Sequence, residues 1–226
     1  IITYIYKKRK LNLSRGMSVK VTIKKLRQKP EGESGAALYA EYPVFSPDEE
    51  PADSEKTADK KEKAKAKKRA ASLEKLNRAV EGLVGAAAKS GKAGECVAVT
   101  HQIYQCNESI ISFALDVLRT AGNSLVYINR FCFNWDPEAG VMLPLSAVTA
   151  AHRRLIKENG SADFTISGGS IYMHKNTFTP EEGKTCRRSR YKKFLLSTAY
   201  SLNGLSEPKK SKKLKNRRPA RNSKWS

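Results

Sequence analysis

The sequence predicts an α+β fold with a winged helix-turn-helix core and basic, partly disordered N- and C-terminal extensions. Residues 145–174 read as an amphipathic helix, a glycine stop and a hairpin that turns at Gly168–Gly169. In a winged helix such a helix lies in the major groove and the hairpin contacts the neighbouring backbone. The formal net charge of +21 indicates a polyanionic partner. Together these observations make DNA the first partner to consider.

The N-terminal segment, residues 1–30, is predicted to be a basic arm with a short strand. It contains ten Lys/Arg and no acid. Val19, Val21 and Ile23 alternate with polar residues, which is typical of a strand over residues 18–26.

The next two segments differ sharply in charge. Residues 31–55 hold eight acids and no base, with Pro and Gly, and are predicted to be an acidic linker. Residues 56–95 are rich in Ala and Lys and are predicted to form a helix. Apolar residues at helical spacing over 73–88 predict that the second half of this helix packs against another element. A partner helix or a homodimer through this stripe stays an open alternative.

The winged-helix domain is predicted to span residues 96–205. Asn107 is a candidate N-cap for a first helix, which Gly122 would end. Residues 125–135 alternate aromatic, aliphatic and polar side chains and predict a strand.

A second helix is predicted from Ser146, its N-cap, to Asn159, with Gly160 ending it in a left-handed conformation. The hairpin follows at once, with two apolar pairs flanking the Gly-Gly turn. These pairs are Phe164/Ile166 and Ile171/Met173.

The last predicted helix has a strong start signal. Thr179 is the expected N-cap, Pro180 takes the first position and Glu182 completes a capping box. The helix is predicted to run to Gly204, and residues 206–226 to form a disordered basic tail.

Three stretches of this core, AVTAAHRRLIKEN, SIYMHKNTF and RRSRYKKFLL, resemble the winged-helix replication initiators of small bacterial plasmids. The resemblance implies a protein that recognises duplex DNA at an origin and recruits host machinery. It also implies that Val148, Ala151 and Leu155 belong to the core, and that Thr149 and Ala150 face base edges.

The DNA-contacting residues expected from this layout lie on the second helix, the hairpin and the start of the last helix. Bases at the start of a helix oppose its macrodipole, which favours an anionic partner there. The full set is Ser146, Thr149, Ala150, Arg153, Arg154, Lys157, Ser167, Gly168, Gly169, Ser170, Lys175, Arg187, Arg188, Arg190, Lys192 and Lys193.

No enzyme activity, cofactor or metal is expected. The sequence Cys96-x4-His101-x4-Cys106 matches three ligands of a zinc knuckle, but Ala93 stands where the first Cys would be. The core acids are scattered, and no nucleotide-binding or hydrolase motif occurs. The four cysteines form no CxxC pair and, with no apolar run of about 20 residues, predict a cytoplasmic protein that does not enter a membrane.

A second hypothesis fits the charge pattern equally well. A structural RNA-binding protein, such as a viral nucleocapsid or ribosomal protein, also combines a neutral core with basic tails. Residues 96–180 hold six bases and six acids, whereas residues 207–226 hold nine bases and one acid. A third hypothesis is an interaction module that uses the 73–88 stripe and whose charge is incidental.

Overall fold

The computed structural model describes residues 3–8, 19–30, 35–48 and 60–205. Over these ranges the chain forms a seven-stranded sheet and a three-stranded sheet. A long helix covers one face of the large sheet, and the small sheet covers part of the other face.

The large sheet follows the order of the chain. All neighbours are antiparallel except the third and fourth strands, which are parallel. Its strands are β1 (Thr3–Lys8), β2 (Val19–Gln28), β3 (Ala37–Pro47), β4 (Glu95–Cys106), β5 (Ile111–Ala121), β6 (Ser124–Asp136) and β7 (Val141–Met142).

Helix α1 (Lys60–Ser90) connects the parallel pair. Parallel neighbours need such a crossover because a tight turn cannot join them. The apolar stripe of α1 packs against the large sheet and is almost fully buried. It consists of Leu73, Leu76, Val80, Val84 and Ala87.

The parallel strands share four paired positions, from Ala37 opposite Cys96 to Ala40 opposite Val99, and then separate. Beyond that point α1 replaces the missing neighbour of β3. The Asn77 side chain accepts a hydrogen bond from the Phe45 N–H at 2.9 Å and donates one to the Phe45 carbonyl at 2.7 Å. One carboxamide therefore satisfies both backbone groups, as an adjacent strand would do.

The remaining elements belong to the second layer. The small sheet has the order β10–β9–β8 and is entirely antiparallel. Its strands are β8 (Phe164–Ser167), β9 (Ser170–Asn176) and β10 (Leu195–Ser201). The helices are α2 (Leu145–Val148), α3 (His152–Asn159), α4 (Pro180–Thr185) and two 3-10 segments, Arg188–Phe194 and Leu202–Gly204.

Strand β8 runs across the strands of the large sheet. The Asn134 side chain on β6 donates to the Phe164 carbonyl, and the Ile166 N–H donates to Ser112 Oγ on β5. Further along, Ser167 Oγ donates to a backbone carbonyl of β4. These three contacts, taken in chain order along β8, fall on three neighbouring strands of the large sheet. Such a crossing is expected where two sheets pack orthogonally.

The predicted winged helix-turn-helix core is wrong, because the chain is dominated by these two sheets. The helix predicted between Asn107 and Gly122 is strand β5. Asn107 accepts the N–H groups of Ser109 and Ile110 in a turn between β4 and β5. Gly122, at φ +56°, makes the turn between β5 and β6. Both residues are thus turn signals and not helix caps.

The predicted recognition helix over 146–159 is also interrupted. It consists of α2 and α3, separated at Thr149, whose backbone is extended. Helix α2 begins after Pro144, so Ser146 is not its N-cap. Gly160 ends α3 at φ +70°, as predicted.

The last predicted helix is also wrong, because only its first residues are α-helical. Pro180 and Thr179 hold the positions expected of a helix start, but Thr179 Oγ1 bonds to the Glu182 carboxylate and not to a backbone N–H. Helix α4 ends at Thr185, and residues 195–201 pair with β9 as a strand.

The hairpin at Gly168–Gly169 and the strand over 125–135 are confirmed. The predicted acidic linker, in contrast, contains β3, which lies inside the large sheet. The predicted tail over 206–226 lies outside the described residues.

Candidate nucleic-acid interface

The most basic exposed feature of the second layer is the stretch 187–193, called here the basic segment. Five of its seven residues are cationic, and each of the five is exposed. Within the described part of the chain, no carboxylate forms an ion pair with any of them. They are Arg187, Arg188, Arg190, Lys192 and Lys193.

Buried residues fix both ends of the basic segment. Cys186 and Phe194 are 4% and 3% exposed and pack in one cluster with apolar residues of β4, β5 and β6. The Phe194 ring meets Phe178 edge-on at 5.2 Å. Gly183 approaches the Leu125 carbonyl so closely that an added Cβ would lie 2.1 Å from it. The cations are therefore held on a packed surface and not on a free loop.

A third anchor lies inside the basic segment. Tyr191 turns inward, and its hydroxyl donates to Asp116 Oδ2 at 3.2 Å and contacts Thr100 Oγ1 at 3.1 Å. Burial raises the pKa of Tyr191, so the hydroxyl keeps its proton at neutral pH.

Asp116 belongs to a buried charge pair between the two layers. Arg130 Nε and Nη2 bond the two carboxylate oxygens of Asp116 at 2.7 and 2.9 Å. The residues are 8% and 3% exposed, so water screens the pair little. Arg130 Nη1 also donates to the Tyr104 hydroxyl at 3.2 Å.

His174 extends this network into the small sheet. Its Nδ1 lies 3.4 Å from Arg130 Nη1, and its Nε2 lies 2.8 Å from Thr165 Oγ1. Burial, reinforced by the Arg130 charge, lowers the pKa of His174 to about 4. A guanidinium only donates hydrogen bonds, so the neutral ring accepts at Nδ1 and carries its proton on Nε2.

The basic segment lies at the end of the large sheet where α1 ends. Arg188 Nη1 is 3.9 Å from Cys96 Sγ at the start of β4. Next to Cys96, Glu95 Oε2 lies 3.7 Å from Arg119 Nη1. Arg119 Nη1 also donates to the Ser90 carbonyl at the end of α1.

Among the residues expected from the sequence, those of α2 and α3 present a weaker surface. Arg153, Arg154 and Lys157 are exposed, but Arg154 lies 3.8 Å from Glu158. Ser146 and Ala150 are exposed as well.

Thr149 cannot serve as a base contact. It is 8% exposed, and its Oγ1 accepts the Ala151 N–H at 3.1 Å. Ala151 and Leu155 are buried, which confirms two of the expected core positions.

The hairpin tip is distant from the basic segment. Gly168 and Gly169 are exposed, whereas Ser167 and Ser170 are half-buried. The tip lies at the Ser201 end of β10, and the basic segment precedes Leu195 at its other end. Six residues of strand, or about 20 Å, separate the two ends. Lys175 is exposed near the Leu195 end. The structure thus divides the expected site into separate groups.

The buried network is not among the features predicted from the sequence. Ser112 and Asp116 on β5, and Arg130 and Asn134 on β6, each lie four residues apart and so share a face of their strand. The same alternation would have revealed the network once β5 was recognised as a strand.

The described ranges contain no group of three or more His, Cys, Asp or Glu residues placed to hold a metal ion. In the same part of the chain, none of the helices has the length and apolar character needed to cross a membrane.

No protein-family model matches the chain, and no curated protein does. The chain is similar to a crystal structure of a DUF3298 family member from Bacteroides fragilis, with 8% identity and a TM-score of 0.47 over 83% of this chain and 92% of that one. It is also similar to a DUF3298 family protein from Pseudomonas aeruginosa, with 9% identity and a TM-score of 0.40 over 83% and 91% of the two chains. Likenesses this weak indicate nothing about a ligand.

Proposed function

We propose that the chain binds nucleic acid, with duplex DNA as its first ligand, through phosphate contacts made by the basic segment. The observation that carries this proposal is the absence of ion-pair partners, among the described residues, for five exposed cations within seven residues. The anchors Cys186, Tyr191 and Phe194 hold them in place.

The residue types suit phosphate. The guanidinium of Arg can bond two phosphate oxygens at once, and lysine adds a mobile point charge. A protein-wide charge of +21 attracts a polyanion over a longer range. A cation already paired with a carboxylate has less to gain, which favours the basic segment over Arg154 on α3.

This mode of binding is largely independent of sequence. Contacts to phosphate fix position and orientation, whereas contacts to base edges read sequence. The helices near the expected site are short, and Thr149 is buried. We therefore infer that the protein binds the phosphate backbone of DNA with an affinity that depends strongly on salt concentration. We do not infer that it recognises an operator sequence.

Two variants with equal loss of charge test the proposal. One replaces Arg188, Arg190 and Lys192 with Gln, and the other replaces Arg153, Arg154 and Lys157 with Gln. Affinity for a 30-base-pair duplex is measured by fluorescence anisotropy over a series of salt concentrations. Each lost phosphate contact lowers the salt slope by about 0.9. The first variant should lower the slope by about 2 to 3 and weaken binding more than tenfold, and the second should change affinity less than threefold.

Equal effects of the two variants would mean that only total charge matters, and would overturn the proposal. The same titrations with single-stranded RNA test the structural RNA-binding hypothesis. A preference of the wild type for RNA of tenfold or more, lost in the first variant, would replace DNA with RNA as the ligand.

A further inference from the structure

The first turns of α1 form a second basic surface. The stretch 60–69 contains seven bases and one acid. Among the described side chains of this stretch, four lysines are exposed, and they define what is called here the α1 basic surface: Lys63, Lys65, Lys67 and Lys68.

These turns extend past the end of the large sheet. From residue 63 onward, the first buried residues of α1 are Ser72 and Leu73. The indole of Trp135, at the end of β6, donates to Ser72 Oγ at 3.0 Å, and Lys75 bonds the Gly140 carbonyl just beyond. Every side chain from 63 to 68 is exposed. The α1 basic surface therefore contributes nothing to the core.

The placement of these charges is unfavourable for the isolated chain. Lys63 and Lys67 are like charges four residues apart, which lowers helix stability. Positive charge in the first turns also opposes the helix macrodipole. Ala and Lys keep the segment helical through their high propensity. A bound polyanion would relieve both penalties, and this distinguishes the α1 basic surface from an ordinary solvated face.

The two basic surfaces lie near opposite ends of α1. The basic segment sits beside the start of β4, near the end of α1. From Lys68 to Lys89 the helix rises about 32 Å over 21 residues. Between them, residues 70–88 hold two acids and two bases, and the exposed Glu74 and Glu81 pair with Arg78 and Lys24. Along α1, a neutral stretch thus interrupts the positive charge.

We propose that one molecule joins two nucleic-acid duplexes, the basic segment holding one and the α1 basic surface holding the other more weakly. This inference rests on the proposed function of the basic segment. Two cationic surfaces near opposite ends of α1, separated along the helix by a charge-balanced stretch, suit two separate polyanions better than one continuous duplex.

A bridging assay with the full chain tests the inference. Beads carrying one duplex are mixed with a fluorescent second duplex, and capture of the second is measured against protein concentration. A variant with Lys65, Lys67 and Lys68 replaced by Gln should capture at least tenfold less. It should still bind a single duplex within about threefold of the wild type. The matched control is the Arg153, Arg154 and Lys157 variant, which should bridge normally.

Several outcomes would overturn the inference. One is a wild type that binds duplex DNA without bridging. Another is a lysine variant that bridges as well as the wild type. A third is a lysine variant that loses single-duplex affinity as strongly as bridging, because both surfaces would then contact one duplex. Light scattering shows whether bridging requires a dimer, which would also overturn it. Failure of the wild type to bind any duplex would instead reject the proposed function.

Discussion

Arg130 and Asp116 form a two-point ion pair that is almost completely shielded from water. The pair connects β5 to β6 and, through His174 and Tyr191, ties both to the small sheet and the basic segment. Removing one partner of such a pair leaves an uncompensated buried charge, which is costlier than removing both.

Replacing Arg130 with Met should therefore lower the free energy of unfolding by about 3 to 5 kcal/mol. Urea titration followed by circular dichroism measures the loss. In a double variant with Asp116→Leu, a large part of this stability should return. A double variant less stable than Arg130→Met would show that the charge on Asp116 is not the source of the cost.

The stability of the protein should depend on pH through His174. Its pKa is about 4 in the fold and 6.5 in the unfolded chain, so the unfolded state binds more protons between these values. Stability from this group is complete above about pH 6.5 and is lost as the pH falls toward 4, at up to about 1.4 kcal/mol per pH unit. Urea titrations from pH 4 to 8 measure this slope. His174→Gln should reduce it below pH 6.5 and leave the slope from pH 7 to 8 unchanged. An undiminished acid slope in the variant would assign the effect to other groups.

Asn77 should be essential to the edge of β3. Asn77→Ala leaves the Phe45 N–H and carbonyl without their partner, which costs about 2 to 4 kcal/mol for two backbone groups. Hydrogen exchange at the Phe45 amide should accelerate in parallel. Arg78→Ala, on the exposed side of the same turn, is the control and should change stability by about 0.5 kcal/mol or less. Unchanged exchange at Phe45 in the Asn77 variant would contradict this role.

Two glycines should respond to alanine in opposite directions. Gly85 lies within α1 with no atom near the position of an added Cβ. Gly85→Ala should therefore raise the free energy of unfolding by about 0.5 to 1 kcal/mol and shift the midpoint of urea unfolding upward. At Gly183 the same methyl would collide with the Leu125 carbonyl and the Phe178 ring, and the midpoint should fall. A neutral result at Gly183 would show that α4 can move away from β6.

The elements predicted well have unambiguous periodicity or turn chemistry. The hairpin follows from two glycines with positive φ between apolar pairs, and β6 from its alternation. Strand β5 is buried on both faces, so its apolar run matches a helix and a strand alike. The last helix shows a further limit. Its start signal is local, but residues 195–201 become a strand because β9 is available to pair with them.

For the candidate site, the sequence shows which residues are basic, but only the fold shows which of them lie together. The bases of 187–193 were predicted as contacts on a helix, and they lie on a 3-10 segment. Their anchor, Tyr191, depends on Asp116, which is 75 residues away in sequence. No local sequence pattern predicts a contact between residues so far apart in the chain.

Strand β3 is synthesised well before β4, the strand with which it pairs in parallel. Ala37 pairs with Cys96, 59 residues later in the chain. At about 5 to 20 residues per second, β3 leaves the ribosome about 3 to 12 s before its neighbour. Helix α1 emerges in between, and Asn77 can bond the Phe45 N–H and carbonyl before β4 has been synthesised. The helix thus protects the part of the β3 edge that β4 does not pair with, whereas residues 37–40 gain their partner only when β4 has been synthesised.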